Sequence, residues 1–267
     1  MLSGHEPMGY AACGICGFIF ANPTTDQALE VATYNSAKAS QAQDAVALRS
    51  DPDIHALYQT HHKWVDINPF IIALGFHFKR FQRPRNAGEK RLRLLDIGCG
   101  NGHALEISRI FGIEATGCEI DLARLKMCHD KGLNAVAPHE VCGSFDIIFS
   151  CNVIEHVYDL KNYLSMVSEK LALGGVFVFN GLEKSVIDIE LRKKKFKLLH
   201  PVEHRNIFTR GSLERALATH SLRLVTRGEL STVMRQVRSK APLYLGYWLR
   251  AGFVPSNGVF SAIARRV

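Results

Sequence analysis

Two clusters in this 267-residue chain have residue types and spacings that chemistry needs. In LLDIGCGNG, residues 94–102, a strand-forming run leads straight into Asp96, Gly98, Cys99, Gly100 and Gly102. Alternate glycines let a backbone turn sharply at the carboxyl end of a strand, and they admit a ligand to main-chain amides with no Cβ in the way. Seventeen residues after Gly102, Glu119 stands in GCEID, where a carboxylate can accept both hydroxyls of a ribose. The second cluster is CNVIEHV, with Asn152, Val153 and His156, together with VEHRNIF, with His204. An imidazole in either place can take a proton from a hydroxyl or an amine at neutral pH. The alternative for each is a histidine that caps a turn and orders a pocket.

A glycine loop followed by an acidic residue suits several adenosine-containing cofactors, nicotinamide dinucleotides among them. Spacing separates them. A dinucleotide fingerprint runs G-x-G-x-x-G, whereas here the glycines run G-x-G-x-G and Asp96 precedes them by two. A carboxylate there would repel a pyrophosphate but suits a ligand with an ammonium and a sulfonium, which points to S-adenosylmethionine. Methyl transfer from a sulfonium is an in-line displacement, so much of its acceleration comes from holding donor and acceptor in near-attack geometry. A base is needed only when the acceptor must lose a proton.

The elements that position these residues follow from hydrophobic period and punctuation. Residues 93–97, 114–119, 134–136, 145–150 and 176–180 read as strands, and 102–111, 122–131 and 160–171 as the helices between them. That alternation predicts an α/β fold with a doubly wound, mostly parallel sheet. A helix at 213–219 and strands at 222–226 and 259–265 complete a seven-stranded sheet. Residues 1–90 read as an N-terminal extension on the acceptor side: a Cys-containing stretch, AACGICGFIFANP, then helices at 26–48 and 53–81. The polar tract RPRNAGEK, 83–90, marks the boundary with a cofactor domain spanning 91–267. Within it, 228–256 reads as a lid-like insertion. Its segment 234–253, rich in Leu, Tyr and Trp, is open to three further roles: core packing, a dimer contact or a membrane-surface helix.

Composition limits the remaining choices. At 47% hydrophobic and 22% charged the chain can build a full core, which excludes disorder and collagen-like structure. Seven cysteines, an odd number, fit a reducing compartment better than a disulfide framework. No apolar run reaches the ~18 residues of a membrane span, and the start MLSGHEPMGY lacks the basic opening of a secretory signal, so the expected location is the cytoplasm. Charge is uneven: the formal +8 divides into −3 for residues 1–181 and +11 for 182–267. The densest run, RKKKFK at 192–197, could face an anionic substrate, a nucleic-acid backbone or an acidic membrane, or be a solvated helix face. An anionic small-molecule acceptor fits that charge.

Taken together, DIGCGNG (96–102), GCEID (117–121), FDIIFSCNVIEHVYD (145–159), LALGGVFVFNG (171–181) and HPVEHRNIFTRGSLERAL (200–217) resemble the class I S-adenosylmethionine-dependent methyltransferases. The likeness is to the small-molecule group that includes quinone-biosynthesis enzymes. It covers about 90–225 and implies a Rossmann-like fold and methyl transfer to a sugar, lipid or quinone-like acceptor. By that resemblance Asp96, Gly98, Cys99, Gly100 and Gly102 border the methionine moiety and Glu119 binds the ribose. Ile120 packs on the adenine, and Asn152 and Val153 line the methyl-donor pocket. Many relatives place an acidic residue near the adenine after the third strand; here the stretch is AVAPHEV, which leaves main-chain groups near Ala137 and Pro138 for that role. Some quinone-pathway relatives carry E-x-x-E-H around a divalent cation. With Asn152 in place of the first carboxylate before Glu155 and His156, no metal is expected. Cys13-x-x-Cys16 resembles the second half of a zinc ribbon, but no upstream pair accompanies it, and a degenerate zinc-ribbon remnant or a packed hairpin is expected in place of bound zinc. The Asn/Asp-Pro-Pro-aromatic motif of amino-group base methylases is absent, which argues against a nucleic-acid substrate. A scaffold that binds the cofactor without turnover is the non-enzymatic alternative.

Overall fold

A computed structural model of the chain describes residues 9–22, 73–77, 91–194, 196, 198–237, 253–256 and 259–267. The helices expected at 26–48 and 53–81, apart from a helical turn at 73–76, and residues 238–252 of the expected insertion lie outside the described residues.

Parallel strands β3 (Arg93–Ile97), β4 (Glu114–Cys118), β5 (Ala135–Val136), β6 (Phe145–Ser150) and β7 (Leu171–Glu183) form the centre of the sheet. Their apolar residues are nearly continuous because both sheet faces are covered by helices. β11 (Val259–Arg266) runs antiparallel between β7 and β9 (Leu222–Leu224), giving the order β5-β4-β3-β6-β7-β11-β9. These are the seven strands the sequence predicts. β10 (Phe253–Ser256) adds a short antiparallel partner to β11.

Alternation along β7 sends Val176 and Val178 to one face and Phe177 and Phe179 to the other. The first face packs on α1 (His103–Ile110), the turn at Ala73 and Leu74, and α6 (Arg227–Val237). The second packs on α3 (Leu160–Lys170) and α5 (Arg210–Ala218). α2 (Leu122–Asp130) closes the β4–β5 edge through Leu125 and Cys128. Local signals explain where the helices begin: Asp121 and Asp159 cap α2 and α3, and Thr209 and Ser212 form a reciprocal capping box on α5.

Three features depart from the sequence reading. First, β7 is 13 residues long and outruns β6, so its last residues, Leu182 and Glu183, pair instead with β8 (Asn206–Phe208). Second, β8 pairs with β2 (Ile19–Asn22), and β2 with β1 (Gly9–Ala12), so the Cys-containing hairpin is an edge of the main sheet. Residues 73–77 also join it, for Ala73 and Leu74 are core and His77 Nε2 bonds the Asp146 carbonyl. An aromatic series from Phe18 through Phe208, Phe260 and Phe179 to Phe177 binds the hairpin to the core, with centroids 4.2–5.9 Å apart. Third, the stretch read as lid-like opens as part of α6, whose Leu230 and Val233 are buried in the core. They are three residues apart on one helix face, which is why that face packs inward.

Candidate active site

β3 pairs with β4 on one side and β6 on the other, so the chain leaves it at the point where strand order reverses and a crevice opens. Gly98 turns the chain there at φ +72, and a Cβ in its place would overlap the Val153 side chain. The Gly98 amide donates to the Cys118 carbonyl at 2.7 Å, which holds the loop against the end of β4. At the head of α1, Gly102 sits at φ +87, and a Cβ there would overlap Leu133.

Glu119 follows β4 and is only 3% exposed. Its Oε2 accepts the Gly100 amide at 2.9 Å, and its Oε1 accepts the amides of Ile120 and Asp121 at 2.8 and 3.1 Å. Three main-chain donors thus orient one carboxylate, and Oε2, which accepts only one of them, keeps further acceptor capacity. Asp96 is buried beside it in the sheet. Burial first, and then the charges of Glu119 and Asp96, push the Cys118 thiol up to about 12. Cys99 is also pushed upward, by its hydrogen bond with the Cys128 thiol and by burial.

A cavity of about 400 Å³ opens beside these groups. One wall is Ile97, Gly98, Cys118, Glu119, Ile120 and Pro138; the other is built from Asn152, Val153, His156, Val157 and Tyr158, with Asn162, Tyr163 and Met166 of α3 and the turn residues Val202 and Glu203. Of the expected cofactor residues, Gly98, Glu119, Ile120, Asn152 and Val153 line it. Asp96, Cys99, Gly100 and Gly102 do not, although the Gly100 amide holds Glu119 in place. Pro138 reaches it at the expected adenine end, and Ile120, 53% exposed, offers a flat apolar contact there.

His156 lines the cavity and His204 lies behind it, with ring centroids 4.8 Å apart. His156 Nδ1 is 2.7 Å from the Glu203 carbonyl and His204 Nδ1 is 2.7 Å from that of Leu198. A carbonyl only accepts, so Nδ1 carries the proton in both rings and Nε2 is the basic nitrogen of the neutral form. Of the two rings, the geometry thus puts His156 on the cavity and His204 against its far side.

Sequence reasoning missed the groups that hold this second wall. Asn206 of β8 donates through Nδ2 to the Ile154 and Val157 carbonyls at 2.9 and 2.7 Å, and the Arg205 and Asn206 amides both donate to the Glu155 carbonyl. The Asn180 side-chain oxygen accepts the Asn152 amide and supports that residue at φ +55. Neither asparagine has a local sequence signal. The α3 face does: Asp159, Asn162, Tyr163 and Met166 recur at i, i+3, i+4 and i+7, the spacing of one helix face.

The family model for a methyltransferase domain matches residues 75–227, more than half of the chain. The chain belongs to this methyltransferase family. Among relatives of the methyltransferase, a ubiquinone biosynthesis O-methyltransferase of Brucella anthropi is 31% identical over 110 residues, covering 36% of this chain and 44% of that protein. One from a Caulobacter species is 30% identical over 128 residues, covering 43% and 51%. The chain thus aligns with about half the length of these curated relatives. A magnesium protoporphyrin IX methyltransferase from Synechocystis PCC 6803, solved with bound SAH, shares the fold with a TM-score of 0.54 at 13% identity, covering 91% of this chain and 100% of that one. Among the described residues of this methyltransferase no group of three or more His, Cys, Asp or Glu side chains could hold a metal ion, and no helix is long and apolar enough to cross a membrane.

Proposed function

We propose that the chain transfers a methyl group from S-adenosylmethionine to a hydroxyl oxygen of a small, largely apolar acceptor, with His156 as the base. The observation that carries this reading is the cavity itself, which joins a Gly98–Glu119 wall suited to the cofactor with a wall presenting His156. The residues fit the cofactor: a carboxylate prepared by three amides meets the ribose, Ile120 meets the adenine face, and Gly98 makes the tight turn that lets Val153 close in beside it. When bound, the cofactor supplies an electrophilic methyl on a sulfonium. His156 takes the acceptor's hydroxyl proton at Nε2 while Nδ1–H stays on the Glu203 carbonyl. Val157, Tyr158, Tyr163, Met166 and Val202 exclude water and hold the acceptor in line.

The quinone-pathway O-methyltransferases among the relatives support an aromatic hydroxyl as the acceptor class. The cavity's charge modifies the sequence expectation. Its lining carries Glu119, Asp159 and Glu203 and, among the described residues, no Lys or Arg, so it suits a neutral acceptor better than an anionic one. Titration calorimetry with S-adenosylmethionine, S-adenosylhomocysteine and NAD tests the cofactor assignment. Binding of the first two without the third is expected, and Glu119→Ala should weaken it about 10- to 100-fold, the loss of charged hydrogen bonds worth about 1.5–3 kcal/mol. Equal binding of NAD, or indifference to the substitution, refutes the reading.

A further inference from the structure

We propose that the exposed side chains of Leu191, Arg192, Lys193, Lys194 and Phe196 form a docking surface for an anionic lipid bilayer. The helix α4 (Ser185–Lys193) follows β7 and packs Val186 and Ile187 against Ile19, Leu182 and Ile207. Its carboxyl end turns outward. Leu191 and Phe196 are each 57% exposed, and Arg192, Lys193 and Lys194 between them are exposed as well. Lys194 adopts φ +47, which stops the helix there and starts a turn. In sequence, five of the six residues from 192 to 197 are basic and the sixth is Phe196.

Nearby carboxylates do not neutralise the run. Glu190 points inward, is 5% exposed and accepts the Leu198 amide at 3.1 Å. Asp188 is exposed a turn earlier, but Arg192 bonds its main-chain carbonyl, and none of Arg192, Lys193 and Lys194 forms an ion pair with a described residue. A single exposed apolar side chain needs no explanation. Two large ones beside Arg192, Lys193 and Lys194, which pair with no described carboxylate, match what an acidic bilayer offers: headgroup charge for the basic side chains and an interfacial apolar layer for Leu and Phe. The patch is also joined to the cavity, because residues 198–203 run from it into the Val202–Glu203 wall and the Leu198 carbonyl bonds His204. The docking stands apart from the reaction proposed above and does not depend on it.

The test is co-sedimentation of the full chain with phosphatidylcholine vesicles prepared with and without phosphatidylglycerol. Binding only to the acidic vesicles, falling as KCl is raised, is expected. Lys193→Gln with Lys194→Gln should weaken it about 30-fold, and Leu191→Ser with Phe196→Ser by severalfold at unchanged salt dependence. All four positions are exposed, so thermal melting reports that the variants are folded. Absence of binding to acidic vesicles, or full binding by the Leu191→Ser, Phe196→Ser variant, overturns the proposal. So does tighter binding to a single-stranded RNA oligomer at the same salt, which would reassign the run to a nucleic-acid backbone.

Discussion

Gly98 combines φ +72 with a neighbour, Val153, that occupies the space a Cβ would need. Gly98→Ala therefore shifts Val153 or the loop, and both lie on the cavity. The expected result is a loss of cofactor affinity of tenfold or more in calorimetry, since left-handed strain alone costs about 1 kcal/mol and the overlap adds to it. His156 gives a prediction of another kind. If it acts as the proposed base, its replacement by Ala should lower kcat about 10²- to 10⁴-fold while calorimetric affinity for S-adenosylhomocysteine changes much less. Added imidazole restoring part of the rate would separate a chemical role from a structural one.

The elements are tied together by polar contacts as well as by the core. Glu229 on α6 receives a two-pronged Arg223 from β9 at 2.8 and 2.9 Å and Arg265 from β11 at 3.0 Å. Hydrogen bonding by Arg223 is the main cause that holds its carboxyl well below the ordinary 4.5, with Thr226 and Arg265 adding to it against the cost of burial. A carboxylate depressed in the folded state contributes stability above its unfolded pKa and loses it as pH falls through that value toward the folded one. Glu229→Gln should then cost about 1 kcal/mol in urea unfolding at pH 7, a modest figure because solvent reaches the network. The difference from the parent should shrink steadily below about pH 4.5. A constant difference down to pH 3 would show that the network carries no such linkage.

Across the whole molecule, the His156 side of the cavity is backed by segments almost 200 residues apart. Tyr10 of the hairpin donates its hydroxyl to the His204 carbonyl at 2.8 Å, and Thr209 donates to the Cys16 carbonyl. Burial pushes the Tyr10 phenol upward, so it remains a donor across the physiological range. Tyr10→Phe should lower stability by about 1 kcal/mol and the melting temperature by about 2–4 °C. Because β2 is hydrogen-bonded to β8 and β8 to β7, the shift should appear in one cooperative transition of the whole sheet. A separate early transition for the hairpin in calorimetry would contradict that.

Strands β3, β4 and β6 and helices α1 to α3 are legible in the sequence to within a residue or two, because apolar runs, caps and glycines act on neighbouring residues. The same is true of the glycine loop and Glu119: a sharp turn at a strand end demands glycine locally, and the acidic residue follows at the next strand end. The length of β7, the three-residue β8 and the sheet edge made by β1 and β2 had no such signal, for their hydrogen-bond partners lie far along the chain. The clamp by Asn206 is invisible for the same reason, since a buried asparagine acquires its meaning only from the carbonyls that surround it. Tertiary structure alone decided that His156 stands on the cavity wall and His204 behind it, and that no Lys or Arg among the described residues lines the cavity. Local backbone chemistry specified the glycine loop and Glu119, while the opposite wall of the cavity depended on which distant surfaces the packed sheet brought together.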